Sequence, residues 1–178
     1  MDDWFSRPPG NEARPTRGSA RPSLHEITDH LLIGEYPRAG DIEWLNKVYG
    51  VTAILNLQDD EDLRINALDI AELRDLCSRL GMKLVRSPIH DGSADDMGDR
   101  LVTALGDLGD LVDAGERVYV HCNAGFNRAP TLAIGYLRAR GGMSLNEAMA
   151  HVKQRRPCGP FMTVLEAHFG SRDLKPGK

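Results

Sequence analysis

His121-Cys122-Asn123-Ala124-Gly125-Phe126-Asn127-Arg128 decides how this chain is read. It follows the apolar run Val118-Tyr119-Val120 and precedes a stretch of helical character over 129–140. Strand, tight loop and helix in that order build an anion site, because the unpaired amides of a short loop and a helix N-terminus converge on one point. Gly125 admits backbone torsions closed to other residues. The positive field of such a loop favours the thiolate of Cys122, its nucleophilic form. Arg128, with five residues between it and Cys122, offers a planar fork of donors matched to two phosphate oxygens. A thiolate beneath a phosphate cradle suits in-line attack on phosphorus and a cysteinyl-phosphate intermediate.

With 178 residues the chain has room for one ordinary domain, and its 41% hydrophobic and 27% charged residues are those of a globular protein. A net charge of −4 gives no reason to expect nucleic acid or an anionic membrane as partner. Attraction for phosphate must therefore be local to the loop. The three cysteines, Cys77, Cys122 and Cys158, show no framework spacing and read as reduced thiols of a cytoplasmic protein. The acidic start Met1-Asp2-Asp3 is unlike an export signal, and no apolar run has the length of a membrane span. No group of His, Cys and Asp has metal-ligand spacing, and neither metal nor other cofactor is expected. Nothing in the chain speaks to oligomeric state.

Residues 1–23, rich in Pro, Gly and Arg, read as a flexible tail, 24–172 as the folded domain and 173–178 as a C-terminal tail. The segment 27–33 mixes β-branched and apolar residues as an edge strand does, and Gly34 to Pro37 end it. Asp41 caps a helix reaching Tyr49, closed by Gly50. The run 51–57 has the character of a buried strand, and the acidic Gln58-Asp59-Asp60-Glu61-Asp62 after it that of a solvated loop. Helices are predicted over 67–80, 96–114, 129–140, 144–155 and 161–169, strands over 83–86 and 117–120. Ser144 with Glu147 makes a capping box. Strands alternating with helices give an α/β fold, a mostly parallel central sheet flanked by helices, with the anion site at the carboxyl edge of a central strand.

The His-Cys-(five residues)-Arg pattern, with Ala124 and Gly125 inside it and Pro130 opening the helix, resembles the cysteine-dependent protein tyrosine phosphatases. From about residue 24 to about 170 the whole resembles a catalytic domain of the dual-specificity type. Ile54-Leu55-Asn56-Leu57-Gln58-Asp59-Asp60, Arg128-Ala129-Pro130 and Arg156-Pro157-Cys158-Gly159-Pro160 are similar to segments of the plant glucan phosphatases and their bacterial relatives. The chain departs from those at Asn127, where they carry Gly, and at Gly92, where they carry an aromatic after the general-acid aspartate. Ala129 stands where many members of the wider family have Ser or Thr, whose hydroxyl stabilises the departing thiolate; the glucan type shares the alanine.

The resemblance implies roles for the residues. Cys122 is the nucleophile, and Arg128 binds the phosphoryl oxygens and offsets their charge. The backbone of Asn123, Ala124, Gly125, Phe126, Asn127 and Arg128 cradles the phosphate, and His121 orients the loop. Asp91 protonates the leaving oxygen from a loop that Gly92 allows to close, with Asp95 and Asp96 as rivals that also suit a helix cap or a surface charge. Phe126 and Asn127 form the outer lip. Cys158 is either an inert buried thiol or a disulfide partner of Cys122. The aromatics nearest the site are Tyr36, Phe126 and Phe161. The expected substrate is a protein phosphorylated on Tyr or Ser/Thr. A phosphorylated glucan or other small phosphate ester ranks second, and a catalytically weak phosphate-binding module third.

Overall fold

Five strands form one sheet in the computed structural model, which describes residues 20–177. The strands are β1 (Leu24–Thr28), β2 (Leu31–Gly34), β3 (Ala53–Asn56), β4 (Lys83–Arg86) and β5 (Val118–His121), in the order β1-β2-β5-β3-β4. β1 runs antiparallel to β2, and every other pairing is parallel. The edge strand expected over 27–33 is therefore two strands, and only β1 lies at the edge. A turn at Asp29 and His30 divides them, with the His30 N–H donating to Thr28 Oγ1 (3.3 Å). Ile27-Thr28 before the turn and Leu31-Leu32-Ile33 after it are β-branched or apolar, so that pattern does not reveal the break.

Among the described residues seven helices accompany the sheet: α1 (Ala39–Tyr49), α2 (Asp60–Ile65), α3 (Ile70–Arg79), α4 (Ala94–Asp113), α5 (Arg128–Arg140), α6 (Leu145–Arg155) and α7 (Met162–Phe169). Leu31, Ile33, Leu55, Val118 and Val120 join a core with residues of α4, α5, α6 and α7. Leu32, Ile54 and Tyr119, at the alternate positions, join a second core with α1 and α3. Burial on both faces is why β2, β3 and β5 read as unbroken apolar runs.

The starts of α2, α3, α4 and α6 follow side-chain chemistry. Ser144 and Glu147 form the expected capping box on α6, and Asp69 and Ser93 cap α3 and α4. Asp59 and Asp62 form another reciprocal box. The stretch expected as a solvated loop is thus the start of α2, with Gln58 and Asp62 buried. Acidic residues suit a first turn, where the helix dipole is positive.

The expected N-terminal tail falls mostly on 1–19, outside the described residues. Arg21 contacts the domain, its guanidinium 5.3 Å from the Trp44 ring centroid and 3.1 Å from Asp41. Within the expected C-terminal tail, Lys175 pairs with Glu147 (2.9 Å). Among the described residues no helix is long and apolar enough to cross a membrane.

Parallel pairing brings the carboxyl ends of β2, β3, β4 and β5 to one edge, where the segments that leave them meet. Two glycines make the closest of these approaches possible. A Cβ on Gly34 would lie 2.4 Å from the Ser23 carbonyl and 2.5 Å from Tyr119 Oη. Gly125 has φ +62°, and a Cβ on it would lie 2.4 Å from the Gly34 carbonyl. Gly34→Ala should therefore lower stability by about 1–3 kcal/mol or more, through overpacking. Gly106→Ala, in α4 with nothing within 4 Å of its added carbon, should raise stability by roughly 0.5–1 kcal/mol. Denaturant melts of both variants check the pair, and a Gly34→Ala protein as stable as wild type would contradict the packing described.

Candidate active site

β5 ends at His121 and α5 begins at Arg128, so the stretch between them is the strand-to-helix crossing, with Cys122 (2% exposed) at its base. Every carbonyl from Cys122 to Asn127 is held by a donor behind the loop. Cys122 O accepts from His121 Nδ1 (3.1 Å) and Asn123 O from the Tyr36 N–H (3.1 Å). Ala124 O and Gly125 O accept from Arg156 Nη2 (2.8 Å) and Nε (2.6 Å). Phe126 O accepts from the Gly159 N–H (2.8 Å). Asn127 O accepts from both the Thr131 N–H (3.0 Å) and its hydroxyl (2.7 Å). In a trans peptide the carbonyl and the following N–H point opposite ways. The amides of Asn123 to Arg128 therefore turn to the concave side, where together with the start of α5 they suit a tetrahedral oxyanion.

Arg128 is fully buried (0% exposed). Its Nη1 donates to Asp62 Oδ2 (2.6 Å) and to the Ile89 carbonyl (2.7 Å). Nη2 lies 3.0 Å from Asp91 Oδ1, close enough for an ion pair, yet neither Nη2 nor Nε makes a well-aligned hydrogen bond. Those two nitrogens lie on one edge of the guanidinium, a fork whose spacing matches two oxygens of one anion. Asp62 (4% exposed) also accepts from Asn123 Nδ2. Asn123 Oδ1 in turn accepts from Gln58 Nε2 (2.7 Å) and Asn66 Nδ2 (3.1 Å). The start of α2 thus holds both the arginine and the loop.

Of the three candidate acids, Asp91 alone is within ion-pair distance of Arg128. It is one-fifth exposed, before Gly92 at φ +74°. Asp96 is engaged elsewhere: its Oδ2 accepts from the His90 N–H (2.6 Å) and its own N–H donates to Ser93 Oγ (3.1 Å). Asp95 is exposed in the first turn of α4. His90 Nδ1 bonds Asp59 Oδ2 (2.7 Å), tying the Asp91 loop to the cap of α2. Burial pushes the Asp59 carboxyl up, but the Asp62 amide, His90 and the Arg128 charge outweigh it and hold the pKa below its ordinary value. His121 is buried and stacked on Tyr119, with ring centroids 5.9 Å apart. Desolvation drives its pKa down to about 4, so the ring is neutral and Nδ1 carries the proton given to Cys122 O.

The outer lip is stitched to the segment after α6. Asn127 Nδ2 donates to Gly159 O (2.7 Å), and a Cβ on Gly159 would lie 2.6 Å from the Phe126 ring. Tyr36 is buried, Phe126 and Phe161 are half-buried, and Cys77, Cys122 and Cys158 are free thiols. Sequence reasoning missed two residues, Asp62 and Arg156. A signal for Asp62 was present: Asp59 and Asp62 are spaced as a capping pair directly after an apolar strand. Arg156 lies in the 156–160 stretch similar to the glucan phosphatases, but nothing local pointed to its contacts, which are with residues distant in the chain.

The sequence model of the dual specificity phosphatase catalytic domain matches residues 31–165. The chloroplastic phosphoglucan phosphatase LSF1 of Arabidopsis thaliana is 29% identical over 136 residues, 76% of this chain and 23% of that protein. Dual specificity protein phosphatase 1 of Mus musculus is 38% identical over 93 residues, 50% of this chain and 25% of that protein. The chain spans about a quarter of the length of these two relatives. Among solved structures, Tk-PTP in its active form has a TM-score of 0.69 at 23% identity, covering 82% of this chain and 95% of that one. Human DUSP28 has a TM-score of 0.63 at 25% identity, covering 82% and 91%.

The neutral His121 has a consequence for pH. Its pKa of about 4 lies below the ordinary 6.5, so the unfolded chain takes up the proton first as pH falls. The contribution is complete above pH 6.5 and declines towards pH 4, by up to about 3 kcal/mol. His121→Gln should remove this slope. Denaturant midpoints of both proteins from pH 7 to 4.5 provide the check, and a difference between them that does not vary with pH would contradict the neutral ring.

Proposed function

This chain belongs to the dual-specificity phosphatase family, and we propose that it hydrolyses phosphate monoesters through a cysteinyl-phosphate intermediate. One observation carries the reading: a ring of inward amides beside two Arg128 nitrogens free of hydrogen bonds, on the loop that holds Cys122. Arg128 Nε and Nη2 take two phosphoryl oxygens, and the loop amides take the rest of the charge. The Cys122 thiolate attacks phosphorus in line with the leaving oxygen. As the P–O bond breaks, Asp91 gives that oxygen a proton. Asp91 then accepts a proton from the water that attacks phosphorus, the P–S bond breaks, and inorganic phosphate departs. Ala129 offers no hydroxyl to the returning thiolate, leaving its stabilisation to the backbone. The positive charge for the transition state comes from Arg128 and the amides, so the mechanism calls on no metal.

The substrate we infer is a phosphorylated protein, dephosphorylated at Tyr and at Ser/Thr. Support for stacked sugar rings is small: Tyr36 is buried, Phe126 leans on Gly159, and Phe161 packs against the core. A phosphorylated glucan is the second reading, favoured by the longer alignment with the phosphoglucan phosphatase. The free thiols suit a reducing compartment such as the cytoplasm.

Cys122→Ser should reduce hydrolysis of an aryl phosphate by about 10³-fold or more, and a chelator should leave the wild-type rate unchanged. Activity retained in that variant would sink the nucleophile assignment. Phosphoenzyme that accumulates without turnover would instead make the protein a phosphate-binding module. Asp91→Asn should slow alkyl phosphates by about 10²-fold or more and aryl phosphates with good leaving groups far less. Equal losses on both classes would move the acid elsewhere. Phosphotyrosyl and phosphothreonyl peptides and phosphorylated amylopectin, compared under one set of conditions, separate the two substrate readings; faster release from amylopectin than from either peptide reverses their order.

A further inference from the structure

We propose that Arg156 is a second, positioning arginine of the site: from behind the loop it sets the loop's affinity for the phosphate dianion. The proposal rests on the catalytic reading above and adds to it a residue that does not touch the substrate.

Arg156 follows the last turn of α6 and is 6% exposed. Its Nε and Nη2 hold the carbonyls of Gly125 and Ala124, the middle of the loop. These are charge-assisted bonds, stronger than those a neutral donor makes. The N–H groups of Gly125 and Phe126 belong to the same two peptides and point the opposite way. A cation on the oxygen side polarises each peptide and strengthens its N–H as a donor to an anion.

The distribution of charge gives Arg156 further weight. Arg128 lies against two carboxylates, Asp62 and Asp91, so much of its charge is offset within the protein. Among the described residues no carboxylate lies within ion-pair distance of Arg156. Its remaining nitrogen, Nη1, meets only Ser23 Oγ and His25 Nδ1, both at 3.1 Å. A buried cation without a carboxylate is costly unless its surroundings are polarised to receive it. Here those surroundings are the loop carbonyls, and the dianion is the counter-charge on their far side. Desolvation, then the Arg156 charge, lowers the pKa of His25, consistent with a neutral ring accepting from Nη1.

The test uses the full chain, an aryl phosphate as substrate and inorganic phosphate as competitive inhibitor. Arg156→Met removes the donors and keeps much of the apolar stem. Loss of ground-state and transition-state anion binding alike raises KM and the phosphate Ki together and leaves kcat little changed; a rise of about tenfold in both is expected. Arg156→Lys keeps the charge and loses the fork, and should raise Ki by about threefold. Circular dichroism and Tm establish that each variant is folded at the assay temperature. A folded Arg156→Met protein with lowered Tm but a Ki within about twofold of wild type would make the residue structural only and overturn the proposal. Should that variant not fold, Arg156→Lys carries the test by the same criterion, unchanged Ki against raised Ki. Wild-type protein that neither turns over the ester nor binds phosphate fails in a distinguishable way, overturning the catalytic reading and this proposal with it.

Discussion

A planar peptide cannot show its oxygen and its hydrogen on the same side. A loop that presents successive N–H groups to an anion must therefore place the corresponding carbonyls somewhere, and buried carbonyls left unbonded are costly. Between Cys122 and Asn127 that requirement is met six times in succession, by a histidine ring, a strand-end amide, an arginine, an amide after α6, and the first turn of α5. The surrounding architecture can be understood as the means of delivering those donors. Parallel strands bring Tyr36 alongside, Gly34 lets the loop sit directly on β2, and α6 ends where its next residue reaches the middle of the crossing.

Charge is managed with similar economy. A buried guanidinium such as Arg128 needs partners: Asp62 hydrogen-bonds Nη1 from the start of α2, and Asp91 lies within ion-pair distance of Nη2. The Asp62 carboxylate also engages Asn123, so one acidic residue fixes both the arginine and the entrance to the loop. His90 extends that support towards Asp91 through Asp59. His121 contributes without charge, its burial keeping it a neutral donor.

Much of this was legible in the sequence, for reasons that can be stated residue by residue. The unit from Val118 to Arg140 declares itself because strand, cysteine, glycine and arginine are contiguous and their chemistry is local. Asp91 was proposed from its place on a loop after a strand, and of the three aspartates it is the one within ion-pair distance of Arg128. The β1–β2 hairpin was hidden because only Asp29 and His30 separate the β-branched Ile27-Thr28 from the apolar Leu31-Leu32-Ile33. Asp62 was read as solvated because acidic runs ordinarily are; its burial follows from Arg128, 66 residues further on. Gly34 and Arg156 act through approaches that exist only once the sheet has formed, and no local pattern announces them.

The six tethered carbonyls have a consequence for how the loop forms. Their donors are drawn from the segment after β2, the end of β5, α5 and the segment beyond α6, and the longest links join residues 87 and 33 positions apart. Closing such distant pairs costs chain entropy before any contact repays it, so assembly of the site must await consolidation of nearly the whole domain. Few half-folded species can then present the finished loop. By mass action, an anion bound in the finished loop acts as a ligand of the native state alone and shifts the unfolding equilibrium in its favour.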